Sequence, residues 1–358
     1  MPKLTDRLLH EFRDKVHDGN RIWKLYRNRD GKNQWNIICS AMDWIQVTVE
    51  GIDTDSLIRE NSDEASRRMI SFVSYIDVLC EGISQLHRVL FNTKEIPFKD
   101  DHSVFKQSDK DDTDYFKTVR AVFAAHQVNL YGFKPKAFAS WSGGGIGHGD
   151  FSVIIYSIDP EKENQTFDIC FDDIFRYAER RYHYLITLMK EIDRQIEEDN
   201  KYWRSQRIPE RKEDVLTHIE LLKEENEKRL ENEWIKERLE KIQRVFETKI
   251  TDEENEKAVG RFRKALLSDI DYYQNCLQTM SFDDDHQDIE GDCPQRLSYA
   301  RQQISELDYG MLWPAVKEMT PYLKDAVDLE KAEDMFEIQV LIEAGLWIKG
   351  SEMDAGKQ

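Results

Sequence analysis

The segment Asp111–Leu130, DDTDYFKTVRAVFAAHQVNL, combines a helix pattern with two chemically active side chains. Asp112 and Asp114 precede an apolar run and predict a helix whose first turn is capped by carboxylates. The apolar residues recur at three- and four-residue spacing, as on a helix with one buried face: Tyr115, Phe116, Val119, Val122 and Phe123. The segment therefore predicts a packed helix with Arg120 and His126 near its end.

Arg120 and His126 are the candidate catalytic residues. A guanidinium stays charged and can hold a phosphodiester through a planar fork of donors. An imidazole that titrates near neutral pH can move a proton on or off a ribose hydroxyl. RNA cleavage by this pair requires neither a metal nor a cofactor, and we expect neither. The alternative is structural: Arg120 extends from a bundle helix into solvent, and His126 bonds the last carbonyls of its own helix.

The spacing of Arg120 and His126 sets a condition on the helix. Six residues advance an ideal α-helix by about 600°, so the two side chains would point roughly 120° apart. Both can face one cleft only if the helix ends or bulges before His126. Residues 127–134, which include Asn129 and Gly132, predict such an ending.

The segment resembles the motif of the HEPN superfamily, small helical-bundle proteins in which an Arg is followed, a few residues later, by a His near the end of a bundle helix. Arg120 and His126 have five residues between them, and the resemblance to the whole bundle covers about 35–198. The AH-x-V-N-L ending at 125–130 is also similar to the N-terminal part of some uncharacterised bacterial proteins.

The resemblance implies RNA cleavage without a metal by a dimer whose two motifs face each other across the interface. It also implies an alternative, because other members have lost catalysis and only bind nucleotides, RNA or protein partners. Active members usually carry a small polar residue directly after the motif Arg, where this chain has Ala121. An alanine side chain can neither orient the Arg nor contact a substrate.

A β-hairpin is predicted after the motif, from the strand-like segments 151–157 (FSVIIYS) and 166–171 (TFDICF) joined by a polar turn. The preceding Gly-rich stretch, 141–150, lacks the GK[ST] of a phosphate loop and leads into a strand, so we interpret it as a flexible connector. His148 in this connector could reach the cleft as a lid residue. Together with Lys117 and Asn129, His148 is a candidate substrate-binding residue.

Helices with apolar stripes are predicted on both sides of the motif, at 35–51, 62–91 and 174–203. Beyond Pro209 the composition becomes highly charged and predicts one helix over 210–248, as in a coiled-coil arm or a helical hairpin. A second helix over 252–280 can fold back on it. The acids and His286 of the segment 282–293 could suggest calcium or zinc, but their spacing does not fit an EF-hand loop. We therefore interpret that segment as a solvated, disordered loop without a metal.

These patterns predict a mainly α protein with two parts. Residues 1–204 form a HEPN-like helical bundle with an inserted β-hairpin at about 150–171. Residues 205–358 form an elongated, coiled-coil-like α-helical extension with an acidic loop at 281–293.

Two basic clusters could contact nucleic acid. Residues 1–35 interleave basic side chains with Trp23, Tyr26 and Trp35, a composition that can hold a single strand. We favour an amphipathic N-terminal helix with solvated basic edges instead. The cluster at 176–183 (Arg176, Arg180, Arg181 and His183) could add phosphate contacts, but a solvated helix face is the favoured interpretation.

Charge and composition exclude several classes of protein. The 51 basic and 70 acidic residues give a net charge of −19, which repels long polyanions and argues against nonspecific DNA coating. Apolar runs fall short of the roughly twenty residues that cross a membrane, and the first residues lack the apolar stretch of a signal peptide. The five cysteines are scattered without a C-x-x-C pair, which predicts neither disulfides nor a zinc site. We expect a cytoplasmic protein that does not insert into a membrane.

Three functions remain open. The first is a HEPN-like, metal-independent endoribonuclease, of a bacterial toxin or phage-defence kind by family analogy, with Arg120 on the phosphate and His126 as general acid/base. The second is a catalytically inactive bundle that binds a nucleotide, RNA or a protein partner, which Ala121 favours. The third is an interaction or scaffold protein whose working part is the charged helical extension. The expected partners are RNA, a second copy of the chain, and a regulatory protein.

Overall fold

Helices make up most of the chain in a computed structural model, which describes residues 3–57, 62–130, 135–140, 149–211, 214–282, 286–291, 293–305 and 312–355. The predicted mainly α fold is confirmed. The chain divides into two compact units, unit 1 (Met1–Glu197) and unit 2 (Glu198–Gln358), and each has its own apolar core. The division falls within a helix whose last residue, Ser205, lies next to the predicted domain boundary between 204 and 205.

Unit 1 is built from helices whose apolar faces meet in one core. The helices predicted at 35–51 and 62–91 are confirmed as α3 and α4, which pack against each other. The predicted helix at 174–203 is interrupted at Tyr184, so it forms two helices. The helices up to the division are α1 (Arg7–His17), α2 (Arg21–Tyr26), α3 (Trp35–Gly51), α4 (Asp63–Leu90), α5 (Asp112–Arg120), α6 (Phe171–His183) and α7 (Leu185–Ser205).

The predicted hairpin is part of a three-stranded antiparallel sheet with the order β1–β2–β3. Strand β2 (Phe151–Ser157) pairs with β3 (Gln165–Ile169) as the sequence predicts, and Phe151 lies opposite Ile169. Strand β1 (Ala137–Ser140) is an addition that pairs with the other side of β2. Its four residues, AFAS, are too short and too weakly apolar to give a strand pattern.

The N-terminal segment forms an amphipathic helix, in agreement with the favoured interpretation. Helix α1 buries Leu9, Phe12 and Val16. Tyr26 is also fully buried, so its ring cannot stack on a nucleotide base. The alternative of an RNA platform over residues 1–35 therefore loses one of its three aromatic side chains.

Helix α4 is long and apolar enough to cross a membrane by length and composition alone. Within its apolar window, 44% is buried inside the protein. Its buried residues, among them Phe72, Ile76 and Leu79, belong to the core of unit 1. Core helices of water-soluble proteins have the same properties, so α4 carries little weight as a membrane segment.

Unit 2 contains helices α8 (Val215–Arg229), α9 (Glu233–Glu247), α10 (Glu253–Thr279), α11 (Ser298–Ser305), α12 (Leu312–Leu323) and α13 (Met335–Ala355). The prediction of one continuous helix over 210–248 is wrong, because a turn separates α8 from α9. The Asn226 side chain closes this turn by donating to the Asn232 carbonyl, 2.9 Å away. Glu231 between them has a left-handed backbone with φ of 51°. The second helix predicted over 252–280 is confirmed as α10.

Residues 286–291 of the acidic segment pack against the helices of unit 2, although Gln287 and Glu290 are exposed, and this corrects the prediction of a disordered loop. The Ile289 backbone N–H donates to Asp269 Oδ2 on α10, 2.9 Å away. Gly291 is buried against α13, where an added Cβ would lie 2.1 Å from the Leu346 Cβ. Only a residue without a side chain can approach the helix this closely. Residues 283–285 and 292 lie outside the described part.

Candidate functional site

Helix α5 begins at a capped turn. The N-cap is Asp111, whose side chain accepts the Asp114 N–H at 2.7 Å, so it lies one residue before the predicted carboxylates. Asp112 has a different role, because it is fully buried and accepts the N–H groups of Val104 and Phe105 at 3.0 and 2.9 Å. This carboxylate therefore ties the preceding loop to the first turn of the motif helix.

The motif helix ends where the spacing of Arg120 and His126 requires it. The α-helix stops at Arg120, and residues Ala121–Ala125 form a π turn. His126 then leaves the helix with φ of −138° and ψ of 33°, while its N–H donates to the Ala121 carbonyl at 3.0 Å. The expectation that the helix ends or bulges before His126 is therefore met. Ala121 is the first residue of this π turn.

Arg120 is held by an acidic side chain of the neighbouring helix. Its guanidinium donates to Asp77 Oδ1 on α4 at 3.0 Å. The side chains of Arg120 and Asp77 are 42% and 38% exposed. A pair in this position is well solvated and contributes little to stability.

His126 is exposed and lies at the start of a short loop that leads towards the sheet. The His126 carbonyl accepts the Asn129 N–H at 2.9 Å, and Asn129 is exposed beside it. The next element is anchored by Ala139 of β1, whose N–H donates to the Gln127 carbonyl at 2.6 Å. The imidazole is therefore carried on a backbone that helix α5 and the sheet hold at both ends.

The other candidate residues differ in position. Lys117 is exposed on α5, about one helical turn before Arg120. It forms an ion pair with Asp114 at 2.7 Å. Asn129 lies three residues after His126. His148 lies outside the described residues. Of the candidate set, Lys117, Arg120, His126 and Asn129 lie along one stretch of chain.

An apolar groove runs between α3 and α4 beside the Arg120–Asp77 pair. Its volume is about 580 Å³, and Asp77 lines it together with Trp44 and Val78. Trp44 is 57% exposed, and Val47 one turn further along α3 is also exposed. Large apolar side chains exposed on one helix face are typical of surfaces that contact another molecule.

The basic cluster at 176–183 lies on the solvated face that the sequence predicts at Arg176, Arg180 and His183, and Arg181 is the exception. Arg181 is only 3% exposed, and its guanidinium carbon lies 3.4 Å from the Tyr177 ring centroid and 4.8 Å from that of Phe98. It also donates to Thr113 Oγ1 at 3.3 Å. Arg181 therefore stabilises the packing around α5 and is not available to a phosphate. The sequence did not predict this burial, because a charged side chain next to other charged residues is typical of an exposed helix face.

Unit 2 contains a cavity that the sequence did not predict. It has a volume of about 360 Å³ between α9, α10, α11 and α13. Apolar side chains such as Phe262 and Leu266 line it, together with Lys241 and Arg244. Across the described ranges neither of these two cations forms an ion pair, and Arg244 donates only to Gln339 at 3.4 Å. Glu290 and Glu343 also line the cavity, so its charged side chains carry both signs.

Comparison of the chain with protein-family models, with curated proteins and with solved structures gives no match.

Proposed function

We propose that unit 1 is a metal-independent endoribonuclease in which Arg120 binds the scissile phosphate and His126 transfers the proton. The observation that carries this proposal is the end of α5, where the helix stops at Arg120 and an exposed His126 follows a π turn. Short π turns within helices are frequent at functional sites. A wide turn followed by a non-helical residue frees His126 from the roughly 120° offset that a continuous α-helix imposes.

The chemistry needs one guanidinium and two imidazoles, one neutral and one protonated. Neutral His126 takes the proton from the ribose 2′-hydroxyl, whose oxygen attacks the neighbouring phosphorus and forms a new P–O bond. The bond between phosphorus and the 5′-oxygen breaks, and an imidazolium gives that oxygen a proton. Arg120 stabilises the negative charge that develops on the phosphate oxygens. The products are a 2′,3′-cyclic phosphate and a 5′-hydroxyl.

A homodimer is the proposed active form. One His126 can act as base only if another group acts as acid, and His126 of the partner subunit supplies that group. The groove between α3 and α4 supports the proposal, because Asp77 both lines the groove and binds Arg120. A second copy that covers Trp44 and Val47 would bring the two Arg120 side chains to one interface.

The resemblance to the HEPN superfamily supports a role as a bacterial toxin or phage-defence effector. Such an enzyme would act in the cytoplasm, where RNA is present, and a regulatory protein partner would restrain it. Lys117 and Asn129 would contact the RNA on either side of the catalytic pair, because both are exposed and lie close to it along the chain.

A catalytically inactive RNA- or nucleotide-binding module is the second candidate, and Ala121 favours it. A binding module needs Arg120 but not the proton transfer of His126. It therefore predicts that His126→Ala retains affinity for RNA while no transcript is cut by the original chain.

The test is cleavage of defined single-stranded RNAs by the purified full chain in EDTA. We expect cleavage by the original chain, with 2′,3′-cyclic phosphate ends, and loss of about 100-fold or more in Arg120→Ala and His126→Ala. Circular dichroism checks that these variants remain folded. Arg176→Ala and His183→Ala are matched controls, because both residues are exposed on another helix, α6.

Two results would overturn the proposal. One is a chain that leaves every tested transcript intact in EDTA. The other is cleavage that survives in both Arg120→Ala and His126→Ala, which would assign the activity to another group or to a contaminant.

A further inference from the structure

A buried carboxylate on α10 faces two side chains of the acidic segment in unit 2. Asp269 is fully buried. The His286 Nε2 lies 3.5 Å from Asp269 Oδ1 and 3.5 Å from Asp288 Oδ1. The three potential ligand atoms all lie within 4.8 Å of one another. Two donors that bind one ion tetrahedrally, with bonds of about 2.1 Å, are separated by roughly 3.4 Å.

Two of these atoms are buried without a hydrogen-bond partner in the part of the chain that the structure describes. They are Asp269 Oδ1 and His286 Nε2, and they point at each other. A buried polar atom that lacks a partner costs about 1–3 kcal/mol. A cation between the two atoms would bind both and remove this cost.

The remaining oxygens of the two carboxylates are held by protein donors. Asp269 Oδ2 accepts the Ile289 N–H at 2.9 Å. Asp288 Oδ2 binds the Arg238 Nε at 2.8 Å. Asp288 Oδ1, the oxygen that faces His286, accepts from the Tyr273 hydroxyl and keeps a second lone pair for an ion. Contacts of this kind orient metal ligands and leave the inner oxygen atoms directed at one point.

The charges around the cluster are unbalanced. Arg238 forms ion pairs with three carboxylates, those of Asp269, Asp288 and Glu290. Three negative charges and one positive charge leave a net charge of −2, which one divalent cation would neutralise. The surroundings thus favour an added positive charge.

We propose that Asp269, His286 and Asp288 bind a divalent transition-metal ion. One imidazole and two carboxylates suit Zn²⁺, Mn²⁺ or Fe²⁺, whereas Mg²⁺ and Ca²⁺ prefer oxygen ligands alone. The His286 ring is stacked on Tyr272, with 3.4 Å between ring centroids, so its Nε2 has a defined direction. The His286 and Asp288 side chains are 20% and 16% exposed, which gives an ion a route into the site and leaves room for water as a further ligand.

The alternative is an ion-pair cluster without a metal. A protonated His286 would then act as the cation between the two carboxylates. The two arrangements differ in stoichiometric metal binding, because a positively charged imidazole has no free electron pair to donate.

The test uses the full chain after dialysis against a chelator and then into metal-free buffer. Isothermal titration with Zn²⁺ and with Mn²⁺ measures stoichiometry and affinity. We expect one ion per chain with a Kd in the micromolar range or below for at least one metal. His286→Ala and Asp269→Asn should weaken this binding at least tenfold. Asp271→Asn is the matched control, because Asp271 is exposed on the same helix and paired with Arg211.

A second measurement does not depend on the folding of a variant. Co²⁺ added to the original chain should give visible absorption bands of a low-symmetry site with nitrogen and oxygen ligands, and one equivalent of Zn²⁺ should abolish them. The proposal is wrong if the original chain binds neither metal more tightly than His286→Ala and gives no cobalt bands. That result would assign His286 to the ion-pair cluster, and it would leave the ribonuclease proposal for unit 1 untouched.

Discussion

Arg120 on α5 donates a hydrogen bond to Asp77 on α4 over 3.0 Å, and both side chains remain partly exposed. Exposed ion pairs contribute only about 0–1 kcal/mol to stability. Asp77 therefore matters less for folding than for the direction of the Arg120 side chain and for the electrostatic potential around it. It sets the direction of Arg120, but its own negative charge repels an approaching phosphate.

The substitution Asp77→Asn separates these two effects. The amide oxygen can still accept from Arg120, while the negative charge is gone. Removal of one charge about 6 Å from a phosphate in a solvated site is worth about 0.7 kcal/mol, so we expect the KM for RNA to fall about threefold. The expected kcat is unchanged, because Arg120 keeps its direction. Steady-state cleavage kinetics at low salt measure both constants.

Asp173→Asn is the control for this prediction. Asp173 pairs with Arg176 on α6 at 3.5 Å, also in an exposed position, and its loss should leave KM unchanged. An unchanged or raised KM in Asp77→Asn would contradict the view that Asp77 competes with the substrate for Arg120.

Asp112 is predicted to be the most sensitive carboxylate of the motif helix. Replacement by Ala leaves the buried N–H groups of Val104 and Phe105 without their acceptor. We expect a loss of about 2–4 kcal/mol in the free energy of unfolding of unit 1. Urea denaturation measures this loss. Asp114→Ala on the exposed side of the same turn should cost less than about 1 kcal/mol, and equal costs for both substitutions would contradict the assignment.

Glu191 on α7 should give unit 1 part of its sensitivity to acid. Hydrogen bonds from Arg194 lower the pKa of Glu191 below its ordinary value of 4.5, and Gln195 adds to this effect. Because the folded pKa lies below the unfolded one, the contribution is present above pH 4.5 and is lost as the pH falls through the folded pKa.

The substitution Glu191→Gln tests this pH dependence. It should lower the free energy of unfolding by about 1–2 kcal/mol at pH 7, and the difference from the original chain should shrink below about pH 4.5. Urea unfolding between pH 3 and pH 7 provides the comparison. Glu11→Gln, which removes an exposed pair with Arg7, should have a smaller effect at pH 7. A difference that stays constant down to pH 3 would show that Glu191 does not titrate in this range.

The helices of unit 1 could be predicted because their apolar residues recur with the helical period. Helices α3 and α4 follow this pattern along their whole length. The end of the motif helix could also be predicted, since the spacing of Arg120 and His126 and the residues after them pointed to it. The type of ending is a π turn that buries Val122 and Phe123 against other elements, and a single segment does not reveal these contacts.

Other features depend on residues that are distant in the sequence. Arg181 looks like a surface residue until Tyr177 and Phe98 are seen to enclose it. Nothing in the sequence of α10 distinguishes Asp269 from its other acidic residues. Only the fold of unit 2 brings Asp269 close to His286 and Asp288. The turn between α8 and α9 did leave a local signal, the two residues Asn226 and Asn232, which a continuous charged pattern concealed.

The Asn226–Asn232 turn also bears on the order in which unit 2 assembles. Its two asparagines are six residues apart, so the contacts between α8 and α9 close a short loop at a small entropic cost. Contacts of this kind form quickly, whereas those between α10 and α13 join distant parts of the chain. The α8–α9 pair can therefore form while the ribosome is still synthesising α13, and its apolar face then serves as the surface on which the later helices assemble.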